Sequence, residues 1–317
     1  MPSINTLHGE LDTSELGRTL IHEHIGIKSP GISENWPELW DEAGCVASAE
    51  EKLNALQQRG VGTVVDLSTA DLGRDMGYLQ KVAGVTSLNV VICTGIYWLR
   101  SMYWRGRPAE ELTRVFVKDI TEGIAGTEVK ANIIKLASDD QGGGVDSYNE
   151  KCLRAGARAH RATGVPIATH NGPPELGAKQ QDVFEDEGCD LSRIVIGHVG
   201  DTADTDYLKS LMDRGSYVGL DRFGLDGILP FDDRVNTVVK LAAEGYAEKM
   251  LLAHDASCCL DWIPDIDAVR QAQPNWHFNH IPDDVVPALL DRGVTQAQVD
   301  QMLIGNPRTL FERQGAY

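Results

Sequence analysis

Residues 17–25 read GRTLIHEHI, a short β-branched and apolar run that ends on two histidines one residue apart. Seven more runs of this kind follow: VGTVVDLST (61–69), NVVICTGIY (89–97), NIIKLAS (132–138), VPIATHN (165–171), RIVIGHVG (193–200), SYVGLDRFG (216–224) and KMLLAHDAS (249–257). They lack clean polar alternation, which suits parallel strands buried on both faces. Between them lie segments of helical periodicity, such as SAEEKLNALQQRG (48–60) and YLKSLMDRG (207–215), closed by a glycine. Eight strand–helix units, with no GxGxxG after the first strand, predict an α/β fold of the (β/α)8 TIM-barrel type in place of an open doubly wound sheet. No low-complexity stretch or Pro/Ser-rich linker divides residues 1–317, so one barrel domain is expected. The closing segment TQAQVDQMLIGNPRTLFERQ (295–314) reads as two helices, with Asn306 as an N-cap and Pro307 at the first helical position.

The composition is that of a globular protein, with 42% hydrophobic and 24% charged residues. The 29 Lys+Arg stand against 47 Asp+Glu, a formal net charge of −18, so the mean surface repels phosphates, and neither nucleic acid nor membrane is an expected partner. The opening MPSINTLHGELDTSELG has no basic segment followed by an apolar one, and a cytoplasmic location is expected. The cysteines at 45, 93, 152, 189, 258 and 259 show no CxxC spacing and are expected as reduced thiols.

Chemistry-bearing residues gather at matching strand ends. His22 and His24 end the first run, Lys135 lies in the fourth, His170 ends the fifth, His198 the sixth and Asp255 the eighth. In a barrel those ends converge on the mouth that carries catalytic groups. An HxH pair in a strand projects both imidazoles on one face, where they can share a metal ion. Of the other histidines, His8 and His160 read as surface residues, and His254 should point away from Asp255. His277 and His280 read as loop-packing residues. Lys135 is different in kind, because an ammonium has no lone pair to donate. One solution is a carbamate formed from the free amine and CO2, which with Asp255 and a hydroxide would balance most of the charge of two divalent ions. The other is a Schiff-base lysine, and the residues alone leave both open.

The motifs HEH, IIKLAS, VPIATHN, VIGHVGDT, VGLDRFG and LLAHDAS, with the closing GNPRTLF, resemble the phosphotriesterase family of the amidohydrolase superfamily. Within it the chain is most similar to the phosphotriesterase-like lactonases, including enzymes that open N-acyl-homoserine lactones in quorum quenching. The resemblance implies a metal-dependent hydrolase barrel with two divalent ions: zinc, or cobalt, manganese or iron. By its motifs His22, His24 and Asp255 would hold the buried ion, and His170 and His198 the exposed one. Lys135, carboxylated by CO2, would bridge both.

Tyr97 and Arg222 match positions of the lactonase branch; the competing readings are simple packing for Tyr97 and an ion pair with a neighbouring carboxylate such as Asp226 for Arg222. The implied chemistry is attack by a hydroxide shared between the ions. Tyr97 would donate to the oxyanion, Asp255 would move the proton and Arg222 would hold the substrate. The long loop SCCLDWIPDIDAVRQAQPNWHFNHI (257–281) carries Trp262 and Trp276, as expected of an apolar acyl pocket, and Trp98, Leu225, Cys258 and Trp262 are the expected substrate contacts. The expected substrate is a small lactone or ester, with weak organophosphate triesterase activity as a by-product. The alternatives are a native phosphotriesterase or other carboxylic-ester hydrolase, a Schiff-base lyase using Lys135, and a metal-dependent binding or scaffold protein. A homodimer is what the resemblance implies.

Overall fold

Each of the eight runs forms a strand, and neighbours in the chain pair in parallel. The computed structural model describes residues 2–139, 145, 147–312 and 315–317. An antiparallel hairpin comes first, β1 (Ser3–Thr6) with β2 (Gly9–Asp12), an element the strand pattern does not signal. Then follow β3 (Arg18–Ile27), β4 (Val61–Asp66), β5 (Asn89–Gly95) and β6 (Ile133–Ser138). β7 (Ile167–Asn171), β8 (Ile194–Ile196), β9 (Tyr217–Leu220), β10 (Met250–Leu252) and β11 (Ser257–Leu260) complete the set. The sheet order is β10-β9-β8-β7-β6-β5-β4-β3-β11.

β10 and β11 are two halves of the eighth strand. The first half pairs with β9 and the second with β3. Between them the Asp255 N–H donates to the His22 carbonyl at 3.1 Å, and the His24 N–H donates to the Ala256 carbonyl at 2.9 Å. The sheet therefore closes on itself, and the fold is a (β/α)8 barrel.

The two-residue period of the strands sorts the core into two layers. Ile21, Val91, Cys93, Ile133, Ala168, Val195, Tyr217 and Leu251 belong to one apolar cluster on the barrel axis. Leu20, Val90, Ile92, Ile134, Leu136, Ile167 and Val218 belong to the other, between sheet and helices. One step further along the same face, Lys135 follows Ile133 and His170 follows Ala168. Ile4 of the hairpin and Leu310 and Phe311 of the last helix join the axial cluster, so both chain ends help to fill the barrel. The helix Glu42–Gln58 shows how the covering layer is punctuated: Asp41 caps its start, and Gly60, at φ +78°, turns the chain into β4. No described helix is long and apolar enough to cross a membrane.

Three expectations need correction. Asn306 is no N-cap: the chain is helical without a break from Gln296 to Glu312, and the buried Asn306 amide donates to the carbonyls of Ala247 and Met250 at 2.8 and 2.7 Å. His160 is fully buried, bonded to the Val165 carbonyl and the Tyr317 hydroxyl, because the closing segment folds back over its helix. Cys45 and Cys259 form a disulfide although 214 residues separate them, since the eighth strand lies against the helix that carries Cys45. Cys93, Cys152, Cys189 and Cys258 are buried and stay outside the disulfide.

Candidate metal centre

Four imidazoles, one amine and one carboxylate meet at the C-terminal mouth of the barrel. His22 and His24 rise from β3 on one face, with ring centroids 5.5 Å apart, while Glu23 between them turns away. Lys135 comes from β6 and His170 from β7; His198 and Asp255 stand just beyond β8 and β10. His198 and Asp255 adopt left-handed backbone conformations, at φ 61° and 55°. Such conformations cost non-glycine residues about 1 to 3 kcal/mol and persist where the surroundings impose them. Gly95 makes room for the lysine strand: a Cβ there would lie 1.9 Å from the Lys135 carbonyl oxygen.

The carboxylate of Asp255 is the focus. Its Oδ1 lies 3.1 Å from His24 Nε2 and 3.4 Å from His22 Nε2, and its Oδ2 lies 3.6 Å from His198 Nε2. Lys135 Nζ, only 1% exposed, is 2.9 Å from His22 Nε2 and 3.4 Å from the Thr169 carbonyl. The His170 ring meets the His198 ring edge-on at 4.6 Å, and the Tyr97 hydroxyl stands 3.1 Å from His170 Nδ1.

The outer faces of these rings are already engaged. Asp221 accepts from His22 Nδ1 at 2.7 Å and, through its other oxygen, from His198 Nδ1 at 3.0 Å and the His198 backbone N–H at 2.8 Å. His24 Nδ1 is held by the Ser68 hydroxyl at 3.0 Å, which donates onward to Asp66 at 2.6 Å. With Nδ1 protonated on three rings, the Nε2 lone pairs face the centre, the arrangement that outer carboxylates impose on metal-binding histidines. His22, His198 and Asp255 each present a ligand atom within 4.8 Å of the others.

Electrostatics point the same way. Burial holds His22 neutral, its pKa pushed down to about 4, and does the same to His170, pushed down to about 3. Burial also keeps His198 well below the usual imidazole value. The Lys135 ammonium is pushed down to about 8 by burial, against the pull of Asp255 and Asp221. Burial would raise Asp255, but His198, His22 and Arg222 outweigh it and hold the carboxyl well below its usual range. Neutral imidazoles and an ionised carboxylate are the donor set of a divalent cation, and an amine with lowered proton affinity is the one that reacts with CO2. The residues fit the two ions.

Arg222 does pair with carboxylates, as its competing reading has it, but with Asp255 and Asp201 and not with Asp226. Its Nε donates to Asp255 Oδ2 at 3.1 Å and its Nη1 to Asp201 at 2.9 Å, while Asp226 accepts from Asn275. Above the floor lies a cavity of about 150 Å³, walled by Ile27, Leu72, Tyr97, Trp262, Ile263 and Trp276. Trp98, Leu225 and Cys258 do not line it: Trp98 flanks Tyr97 at 5.9 Å, and Cys258, within β11, belongs to the apolar layer between sheet and helices.

Two further residues were not singled out by sequence. Asp221 lies beside Arg222 at a strand end, a position formally like that of Asp255. Glu23, inside the HxH pair and fully buried, accepts from His254 Nδ1 at 2.7 Å and from the backbone N–H groups of His254 and Ala256, both at 3.0 Å. It thus grips both neighbours of Asp255, and Trp276 Nε1 adds bonds to the carbonyls of His254 and Asp255 at 3.1 and 3.2 Å. A second acid buried at a strand end was the available signal for each.

A closed parallel barrel whose mouth gathers imidazoles around a carboxylate offers a seat for divalent cations. The chain belongs to the phosphotriesterase family, whose model matches residues 2–311, and this is a family of binuclear metal enzymes that act on esters or amides. A phosphotriesterase homology protein of Mycobacterium tuberculosis is 47% identical over the whole of both chains. An aryldialkylphosphatase of Saccharolobus solfataricus is 37% identical over 95% of this chain and 96% of its own. An N-acetyltaurine hydrolase of Danio rerio is 28% identical over 96% of each. The solved structure of the phosphotriesterase from Mycobacterium tuberculosis superposes with a TM-score of 0.94 at 47% identity, covering both chains completely.

Proposed function

We propose that the protein hydrolyses lactones, with N-acyl-homoserine lactones as the preferred class and phosphotriesters as slow alternative substrates. The observation that carries this reading is an apolar cavity with Tyr97 in its wall, its hydroxyl beside His170, and with Asp255, held by the Arg222 guanidinium, in its floor. A lactone offers one carbonyl oxygen for a hydrogen-bond donor and an acyl tail for the apolar wall. A cavity of about 300 Å³ behind Trp276 shares Ser257, Leu260 and Trp276 with the first, which gives a tail room to extend.

His22, His24 and Asp255 would hold one divalent ion, His170 and His198 the other, and Lys135 as a carbamate would bridge them. Bound ions supply a Lewis acid and lower the pKa of water to near neutrality. Tyr97 stays protonated, because burial and the Asp255 charge push its hydroxyl well above the usual value, so it donates to the carbonyl oxygen as negative charge develops. Asp255 accepts the proton of the attacking water and delivers it to the leaving ring oxygen. Arg222 fixes the second oxygen of Asp255 and, through Asp201, the position of its own guanidinium. Phosphotriester hydrolysis as the native reaction is the second reading, favoured by the relative named aryldialkylphosphatase.

The test is a side-by-side kcat/KM on an acyl-homoserine lactone and an aryl dialkyl phosphate, before and after chelation and reconstitution. A lactone preference that is lost on chelation supports the proposal. A phosphotriester preference overturns it in favour of the second reading. Activity that survives chelation, with a borohydride-trapped adduct on Lys135, would favour Schiff-base chemistry.

A further inference from the structure

Behind the loop that covers the mouth, a second group of metal-binding side chains gathers outside the catalytic centre. His277, His280 and Asp284 each present one ligand atom within 4.8 Å of the others. Their spacing of three and then four residues stacks them on one face of the turn that begins the helical segment at Ile281. The His280 ring is 1% exposed and fixed, packed on Phe231 at 5.3 Å and on His277 at 5.9 Å. Its Nδ1 is 2.9 Å from Asp284 Oδ2, a separation that two donors on one cation also adopt. His277 and Asp284 are exposed and can swing, so the rigid member and its two mobile partners can draw in around an ion.

We propose that His277, His280 and Asp284 form an accessory divalent-cation site, separate from the barrel centre and suited to zinc. Two imidazoles and one carboxylate make a three-protein-ligand set with a fourth position left for water. Burial, with His254 and, for His277, the His280 ring, lowers the pKa of both imidazoles, against the pull of Asp284 on His280. The segment Ile281–Val285, which delivers Asp284, is π-helical, a distortion that recurs at functional sites. Asp283 beside it is taken by Arg59 at 2.8 Å, which leaves Asp284 as the carboxylate that faces the rings.

The position gives the site a consequence. The Ile281 N–H donates to His254 Nε2 at 2.9 Å, and His254 is the partner of Glu23 and the chain neighbour of Asp255. Trp276, next to His277, roofs the catalytic cavity. An ion here would pin the segment 276–284 against the backbone that positions Asp255.

The test is equilibrium dialysis of the metal-loaded protein against buffered free zinc, with metal analysis of wild type, H277A and D284N. Both substitutions lie at exposed side chains and leave the barrel ligands untouched. The expected result is one zinc ion fewer per chain in each variant than in wild type at the same free zinc. The comparison is a difference, so it holds whatever occupies the barrel centre and whatever the enzyme hydrolyses. Equal counts in all three proteins overturn the site, and a loss in only one variant overturns the three-ligand assignment.

Discussion

Asp221→Asn removes no volume and no ion ligand, yet the structure expects it to disable one of the two ion sites. The carboxylate meets three donors: its Oδ1 takes the His198 backbone N–H and Nδ1–H, and its Oδ2 takes the His22 Nδ1–H. An asparagine oxygen is held on the His198 side, because a backbone N–H cannot change its role. The amide NH2 then faces His22 Nδ1, donor against donor. The ring resolves the clash by moving its proton to Nε2, and His22 loses the lone pair it would offer to an ion. Loss of such an outer partner costs about 10- to 100-fold in ion affinity, or about 1.4 to 2.7 kcal/mol. The loss should fall on the ion assigned to His22, His24 and Asp255 and spare the one assigned to His170 and His198. Chelator competition with metal analysis resolves the two, and a thermal melt of the metal-free protein controls for folding. Both affinities within threefold of wild type would refute the account of how Asp221 acts.

Glu23→Gln should lower kcat about 10-fold with little change in KM, since one of three donors around Asp255 loses its acceptor; steady-state kinetics and a denaturant midpoint check it. Tyr97→Phe should reduce kcat on a lactone by about 100-fold while the bound-ion content stays at the wild-type level, as read by metal analysis. His160 is held neutral by burial, with its pKa pushed down to about 4. The unfolded chain takes up that proton below about pH 6.5 and the folded chain does not until about pH 4, so stability falls by up to about 3 kcal/mol as pH drops through this window. His160→Gln should flatten this part of the urea-midpoint profile; an unchanged slope would remove His160 as its source.

The barrel and the gathering of its polar residues were legible because both follow from a period. Apolar runs without polar alternation mark buried parallel strands, and the same two-residue repeat that sends Ile133 and Ala168 to the axis sends Lys135 and His170 to the mouth. The HxH pair is local and needs no tertiary knowledge. What escaped depends on contacts between distant segments. Nothing near Cys45 announces Cys259, and nothing near His160 announces the Tyr317 that covers it. Glu23 and Asp221 look like any strand-end acid until the groups they grip are in view. The β1–β2 hairpin is short and polar, so only its position beneath the axis, with Ile4 inserted, explains why it is ordered. Asn306 resembled a helix start because Asn-Pro favours one, but its amide is engaged by two carbonyls from the approach to β10 and the helix runs through it.

The eighth strand changes partner halfway along, and the step between its halves is where Asp255 stands. The weld that seals the barrel and the seat of its central acid are therefore one piece of backbone. Straightening residues 253–256 would give a tighter weld and would swing that acid out of the mouth, so the molecule keeps an imperfect join at the spot its chemistry needs. The long excursion beyond Leu260 starts after the weld is finished and can be rewritten without disturbing it, which makes it the natural place for one such scaffold to diverge in what it accepts.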